Sequence, residues 1–166
     1  MRYSWRLAIL SFCFIEICDL QAKINSGYCE PYYVSIKSSR ANSHVGPGKN
    51  YKIIYTYVQK GTPLLVIAKY DHWRKIKDPN GDESWIHKSQ LSSKRYVMTL
   101  SEEDLPITKN TGESEEALAY VKKNVAMRLE DIKGNWCNVS VDFQNKNFKG
   151  WVRRDKLFGI FKNETR

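Results

Sequence analysis

Side chains able to do covalent chemistry near neutral pH are few in this chain, and they are badly spaced for it. There are three histidines, His44, His72 and His87, and four cysteines, Cys13, Cys18, Cys29 and Cys137. A thiol nucleophile needs a base within hydrogen-bond reach. Cys29 with His72 or His87 is the one formal pairing. Cys29 is followed by Glu30-Pro31, which does not begin the helix that such a nucleophile usually caps. The chain is therefore not expected to be an enzyme. No C-x-x-C or H-x-x-x-H spacing occurs, so neither a closed metal site nor any cofactor is expected. Gly46-Pro47-Gly48 is too short for a phosphate cradle and reads as a tight turn.

What remains is non-covalent binding by rings and charge. Of the 166 residues 13% are aromatic, with five Trp and ten Tyr, and 27% are charged. This composition excludes a disordered chain. The net charge of +9 and the pI of about 9.4 favour anionic partners. Arg74-Lys75, Lys94-Arg95, Lys122-Lys123 and Arg153-Arg154 are candidates for a basic face. Solvated strand edges, where Lys blocks unwanted pairing, account for the same residues.

The elements that must carry these groups read as strands. Tyr33 to Lys37 alternates, Tyr51 to Val58 is rich in β-branched and aromatic residues, and Leu64 to Ile67 follows a Gly-Thr-Pro turn. Trp73 to Lys77, the turn Asp78-Pro79-Asn80-Gly81-Asp82 and Trp85 to His87 make a hairpin signal. The pattern then recurs. His72-Trp73-Arg74-Lys75-Ile76 is echoed by Asn135-Trp136-Cys137-Asn138-Val139. Ser84-Trp85-Ile86 is echoed by Gly150-Trp151-Val152, and Ser89-Gln90-Leu91 by Asp155-Lys156-Leu157. The second copy is longer by three residues between its two Trp. Residues 114–123 have a helical composition, but the repeat puts a strand at Leu118 to Val121. The expected architecture is all-β, two tandem small barrels over 33–93 and 94–161, with a tail at 162–166.

Residues 1–22 have the order of an export signal: basic Arg2 and Arg6, an apolar run at Leu7–Ile15, and Leu20 and Ala22 before a cleavage point after Ala22. The run is too short to span a bilayer. The chain is expected in the periplasm or secreted, with 23–32 as an extension and no transmembrane span in the mature chain. Nucleic acid is then not an expected partner. In an oxidising compartment Cys29 and Cys137 pair or remain as two separate thiols; spacing alone does not choose between these.

Several motifs in this order resemble the bacterial SH3-like domain family, in its exported tandem form. They are Asn42-Ser43-His44-Val45-Gly46-Pro47, Tyr51 after it, Gly61-Thr62-Pro63-Leu64, Trp73-Arg74-Lys75-Ile76 and Trp85-Ile86. In the second copy they are Trp136-Cys137-Asn138-Val139, Gly150-Trp151-Val152 and Leu157-Phe158-Gly159. Three departures stand out: His44 replaces the family's usual Arg, Ser84 replaces a Gly, and the second copy has no Gly-Pro loop. The resemblance implies a peptidoglycan or cell-wall peptide ligand, lying in a groove of the first domain at Asn42, His44, Tyr51, Tyr70, Asp71, His72 and Trp73. The alternative is a scaffold that binds an envelope protein. Trp73 and Trp136 read equally as ligand walls or as core, whereas Trp85 and Trp151 are expected to close the barrel cores.

Overall fold

The computed structural model describes residues 27–112, 116–144 and 146–165. The expected export signal, with its cleavage point after Ala22, lies outside them. Among the described residues no helix is long and apolar enough to cross a membrane.

The first sheet contains β1 (Tyr28–Ile36), β2 (Ala41–His44), β3 (Ile53–Tyr57), β4 (Pro63–Tyr70), β5 (Trp73–Lys77), β6 (Glu83–His87) and β7 (Leu91–Ser92). The second contains β8 (Tyr96–Thr99), β9 (Leu105–Thr108), β10 (Ala117–Val121), β11 (Ala126–Lys133), β12 (Trp136–Phe143), β13 (Lys146–Arg153) and β14 (Leu157–Phe158). A short 3-10 turn, at Lys88–Gln90 and at Arg154–Lys156, precedes the last strand of each. The spatial orders are β3-β2-β6-β5-β4-β1-β7 and β10-β9-β13-β12-β11-β8-β14. The second repeats the first strand for strand, all neighbours antiparallel. The fold is thus all-β and a tandem of two SH3-like barrels. Within the stretch of helical composition, Ala117–Val121 forms β10.

Each barrel closes on its own core. Val34, Ile36, Leu64, Val66, Ile76 and Ile86 fill the first; Val97, Ile107, Met127, Leu129, Val139 and Val152 fill the second, with Cys137 among them. Burying one such side chain stabilises by about 1.5–3 kcal/mol. Two-residue turns join the long hairpins. Asp71-His72 links β4 to β5 with Asp71 at φ 45°, and Gly134-Asn135 links β11 to β12 with Gly134 at φ 54°. Such tight hairpin turns require a left-handed residue. At the other end of β5, Asp78 Oδ1 accepts the backbone N–H of Asn80 (2.9 Å) and Asp82 (3.0 Å).

One expectation needs correction. Trp85 and Trp151 do not close the cores. In an antiparallel ladder directly opposed residues share a face. Ser84 and Ile86 are buried and stand opposite Ile76 and Arg74, so Trp85, opposite Lys75, lies on the outer face. Trp151, between buried Gly150 and Val152, is placed the same way. A Cβ on Gly150 would come within 2.5 Å of Thr108 O, so the inward position beside Trp151 has no room for a side chain. The alternatives for the two described cysteines are pairing or separate thiols, and both are free. Cys29 packs beside the first core and Cys137 is wholly buried in the second. Burial pushes the Cys137 thiol up to about 11.

The barrels pack directly on each other. Ser35 Oγ donates to Lys94 O in the linker (2.7 Å). Tyr33 meets Phe158 edge-on at 5.4 Å and Phe161 at 4.7 Å. The Arg95 guanidinium lies 5.5 Å from the Tyr33 ring centre and grips both Glu164 oxygens (2.8 and 3.0 Å). A Cβ on Gly61, which has φ 84°, would stand 2.7 Å from the Tyr96 ring.

Candidate functional site

The outer face of the β5–β6 hairpin gathers aromatic rings at one end. Register places them there: Trp73 opposes His87 on β6 and Tyr70 on β4, while His44 opposes Trp85. All therefore share the face that points away from the core. Trp73 is buried nonetheless, because rings cover it. His44 meets it edge-on at 5.1 Å and His87 at 5.5 Å, and His72 continues the row at 6.0 Å from His87. Trp73 is thus the floor of this row, and neither core nor exposed wall. Tyr70 remains largely exposed beside it.

The loop after β2 holds the row in place. The Tyr51 ring lies over Gly46 and Gly48, where a Cβ would approach it to 2.5 and 3.1 Å respectively. This close approach is why the turn is Gly-Pro-Gly. The Tyr51 carbonyl faces His44 Nδ1 at 2.7 Å. A carbonyl only accepts, so Nδ1 carries hydrogen and Nε2 is the acceptor of the neutral ring. His87 has the opposite tautomer. Its Nδ1 accepts the Ser89 backbone N–H (3.3 Å) and faces Ser89 Oγ at 2.7 Å, which leaves Nε2 as a donor. Trp73 is flanked by one imidazole that accepts and one that donates.

The surroundings of His87 disfavour its charged form. Its pKa is lowered, first by burial and then by His72, Lys49 and Lys88, against a smaller opposing pull from Asp71. Asp71 sits 3.5 Å from His72 Nδ1, both exposed. Among the described residues no group of three or more His, Cys, Asp or Glu is placed to hold a metal ion.

The sequence-derived residues thus divide. His44, Tyr51, Tyr70, Asp71, His72 and Trp73 meet at this end of the barrel. Asn42 serves as a brace: its Oδ1 accepts from Thr56 Oγ1 (3.0 Å) and its backbone N–H donates to Gln90 Oε1 (2.9 Å). His87, the ring that links Trp73 to His72, lies outside the loop motifs and figures in the sequence only as a formal base for Cys29. The hairpin register would have found it, since the strands on either side of the Asp78 turn set Trp73 against His87.

In the second barrel the same positions hold other groups. Arg153 opposes Trp136, with its guanidinium 5.8 Å from the ring centre, and Thr108 opposes Trp151. The row of rings belongs to the first barrel.

The family model described as bacterial SH3 domain matches residues 37–93, which run from the end of β1 through β7. The match falls on the first barrel, which is similar to bacterial SH3 domains. Among solved structures the chain is similar to NlpC2 from Trichomonas vaginalis (12% identity, TM-score 0.35, 84% of this chain and 52% of that one). It is also similar to an NlpC/P60 family protein from Bacillus cereus (15% identity, TM-score 0.34, 76% and 55%). The chain spans about half the length of these proteins. No curated protein matches it.

Proposed function

We propose that this chain is a non-enzymatic, exported binding protein of the bacterial cell envelope, and that its first barrel holds a cell-wall peptide of peptidoglycan. The observation that carries this reading is the His44–Trp73–His87 arrangement. A peptide group offers one N–H and one C=O. His44 Nε2 accepts and His87 Nε2 donates, on either side of a flat indole. Tyr51 and Tyr70 add exposed ring surface, a source of contact area at low conformational cost. A bacterial SH3 domain supports a cell-wall association, and the export signal read from residues 1–22 supports the compartment.

Co-sedimentation with purified peptidoglycan, at low and high salt, tests the reading. Salt-resistant binding is expected, because ring contacts and hydrogen bonds carry it. Tyr51→Ala combined with Tyr70→Ala, both at exposed positions, should weaken binding about tenfold or more. Binding that disappears with salt, or that survives the double substitution unchanged, sinks the groove.

A second reading has its own support. β3 is an edge strand of the first sheet, and Ile53, Ile54 and Tyr55 on it are exposed, as is Val58 just after it. An exposed apolar edge pairs readily with an extended protein segment. Capture of one stoichiometric envelope protein, lost when Ile54 becomes Lys, would favour the scaffold over the peptidoglycan binder.

A further inference from the structure

Among the described residues β10 ends the second sheet, so its side away from β9 faces no strand. Tyr120 stands opposite Pro106 on β9. Proline has no N–H to give, so the Tyr120 carbonyl receives no ladder bond from the residue facing it. Alternate side chains of a strand share a face. Ala117 and Ala119 are half-buried and Val121 is buried, whereas Leu118 and Tyr120 are 52% and 67% exposed. One exposed charge flanks the strand on each side, and the two are opposite in sign: Glu116 before it and Lys122 after it. Lys123, the next residue, is already paired with Glu102. The corresponding edge of the first barrel, β3, is built differently. It lies between Lys52 and Lys60, and residues 52–60 contain no carboxylate.

We propose that β10 is the contact surface of a two-fold dimer, in which it pairs antiparallel with β10 of a second copy about Ala119. This register sets Leu118 against Tyr120 and Glu116 against Lys122. Each contact occurs twice, as two-fold symmetry requires. Apolar pairs and opposite charges directly across strands stabilise a ladder, and like charges oppose it. Parallel pairing in register would set Glu116 against Glu116 and Lys122 against Lys122, so charge selects the antiparallel arrangement. A second copy fits better than an unrelated strand because the order of charges along β10 is its own complement. The ends of β3 could bring only lysines together. The register of β10 on β9 shifts between Ala117 and Ala119. Such a bulge bends an edge strand and confines the pairing to one short stretch. The contact is therefore small, and the dimer weak and dependent on concentration. Pairing consumes the free side of β10 in both copies, so the assembly closes at two. It uses neither the ring row of the first barrel nor the Arg95 clamp, and stands whatever the first barrel binds.

Sedimentation equilibrium of the full chain over a range of concentrations tests this. A monomer–dimer equilibrium is expected. Lys122→Glu sets acid against acid at two places and should weaken the dimer about tenfold. Adding Glu116→Lys to that variant reverses the order of charges but keeps it complementary, and should restore the dimer. Both residues are exposed, so neither substitution disturbs a core. Ile54→Lys, on the β3 edge, should leave the equilibrium unchanged. A chain that stays monomeric up to about 1 mM would overturn the proposal. So would a dimer that Lys122→Glu leaves intact, a double variant that does not recover, or a dimer lost with Ile54→Lys, which would put the contact at β3.

Discussion

At the scale of single residues, the histidines differ more than their number suggests. His44 is held by a backbone carbonyl and His87 by a serine, and these partners choose opposite tautomers. His87 titrates below its ordinary 6.5 in the folded chain, chiefly because burial disfavours the charged ring. A depressed folded pKa means that the folded state holds the proton less tightly than the unfolded state does. Its contribution to stability is therefore complete above pH 6.5 and is lost as the pH falls through the folded value. The melting temperature should fall on acidification below pH 6.5, and His87→Gln should flatten that part of the profile. An imidazole midpoint at or above 6.5, measured by NMR on the native chain, would contradict this. The same residue shows the limit of reading a site from sequence. His44, Tyr51 and Trp73 were legible because loop motifs mark them. His87 was not, because only strand pairing brings it to Trp73.

At the scale of elements, the hairpins were legible and their faces were not. Trp73, the Pro-Asn-Gly turn and Trp85 announce two strands and a reversal, and the repeat doubles the signal. Which side each Trp takes depends on register, and a shift of one residue exchanges the faces. The register of β4 shifts between Val66 and Ala68, and that of β11 between Leu129 and Asp131. Such irregularities leave no mark in an alternating pattern. Trp85 and Trp151 are expected inward from the place such rings take in the resembled family, whereas the small Ser84 and Gly150 take the inner positions here. The Asp71-His72 turn makes a sharper prediction. Asp71 is left-handed at φ 45°, a conformation that a β-branched residue strongly resists. Asp71→Val should destabilise the chain by about 1–3 kcal/mol in denaturant unfolding, and Asp71→Gly by much less. Equal stability of the two variants would show that the turn is not under this constraint.

At the scale of the whole molecule, two barrels with separate cores share one polar clamp. Arg95 reaches back to the Tyr33 ring of the first barrel and forward to Glu164 beyond the second. Both members of the ion pair are largely withdrawn from solvent, at 20% and 16% exposure, so water screens the pair only partly. Glu164→Gln leaves the guanidinium with one poorer partner. It should reduce stability by about 1.5–3 kcal/mol. Calorimetry should show the barrels melting less cooperatively than in the parent chain. A variant that melts as the parent does would assign the inter-barrel contact to the aromatic cluster alone.

The position of that clamp in the chain also has a temporal meaning. Every strand of the first barrel has left the ribosome once Ser92 emerges, so its core can close while the remaining residues are still being joined. Tyr33 then waits uncovered. Its neighbours Phe158 and Phe161, and the Glu164 that anchors Arg95, are synthesised only after the ladder strands of the second barrel. For that interval the nascent chain presents a finished barrel with a bare aromatic flank, and arrival of the second barrel's closing segment is the event that covers it.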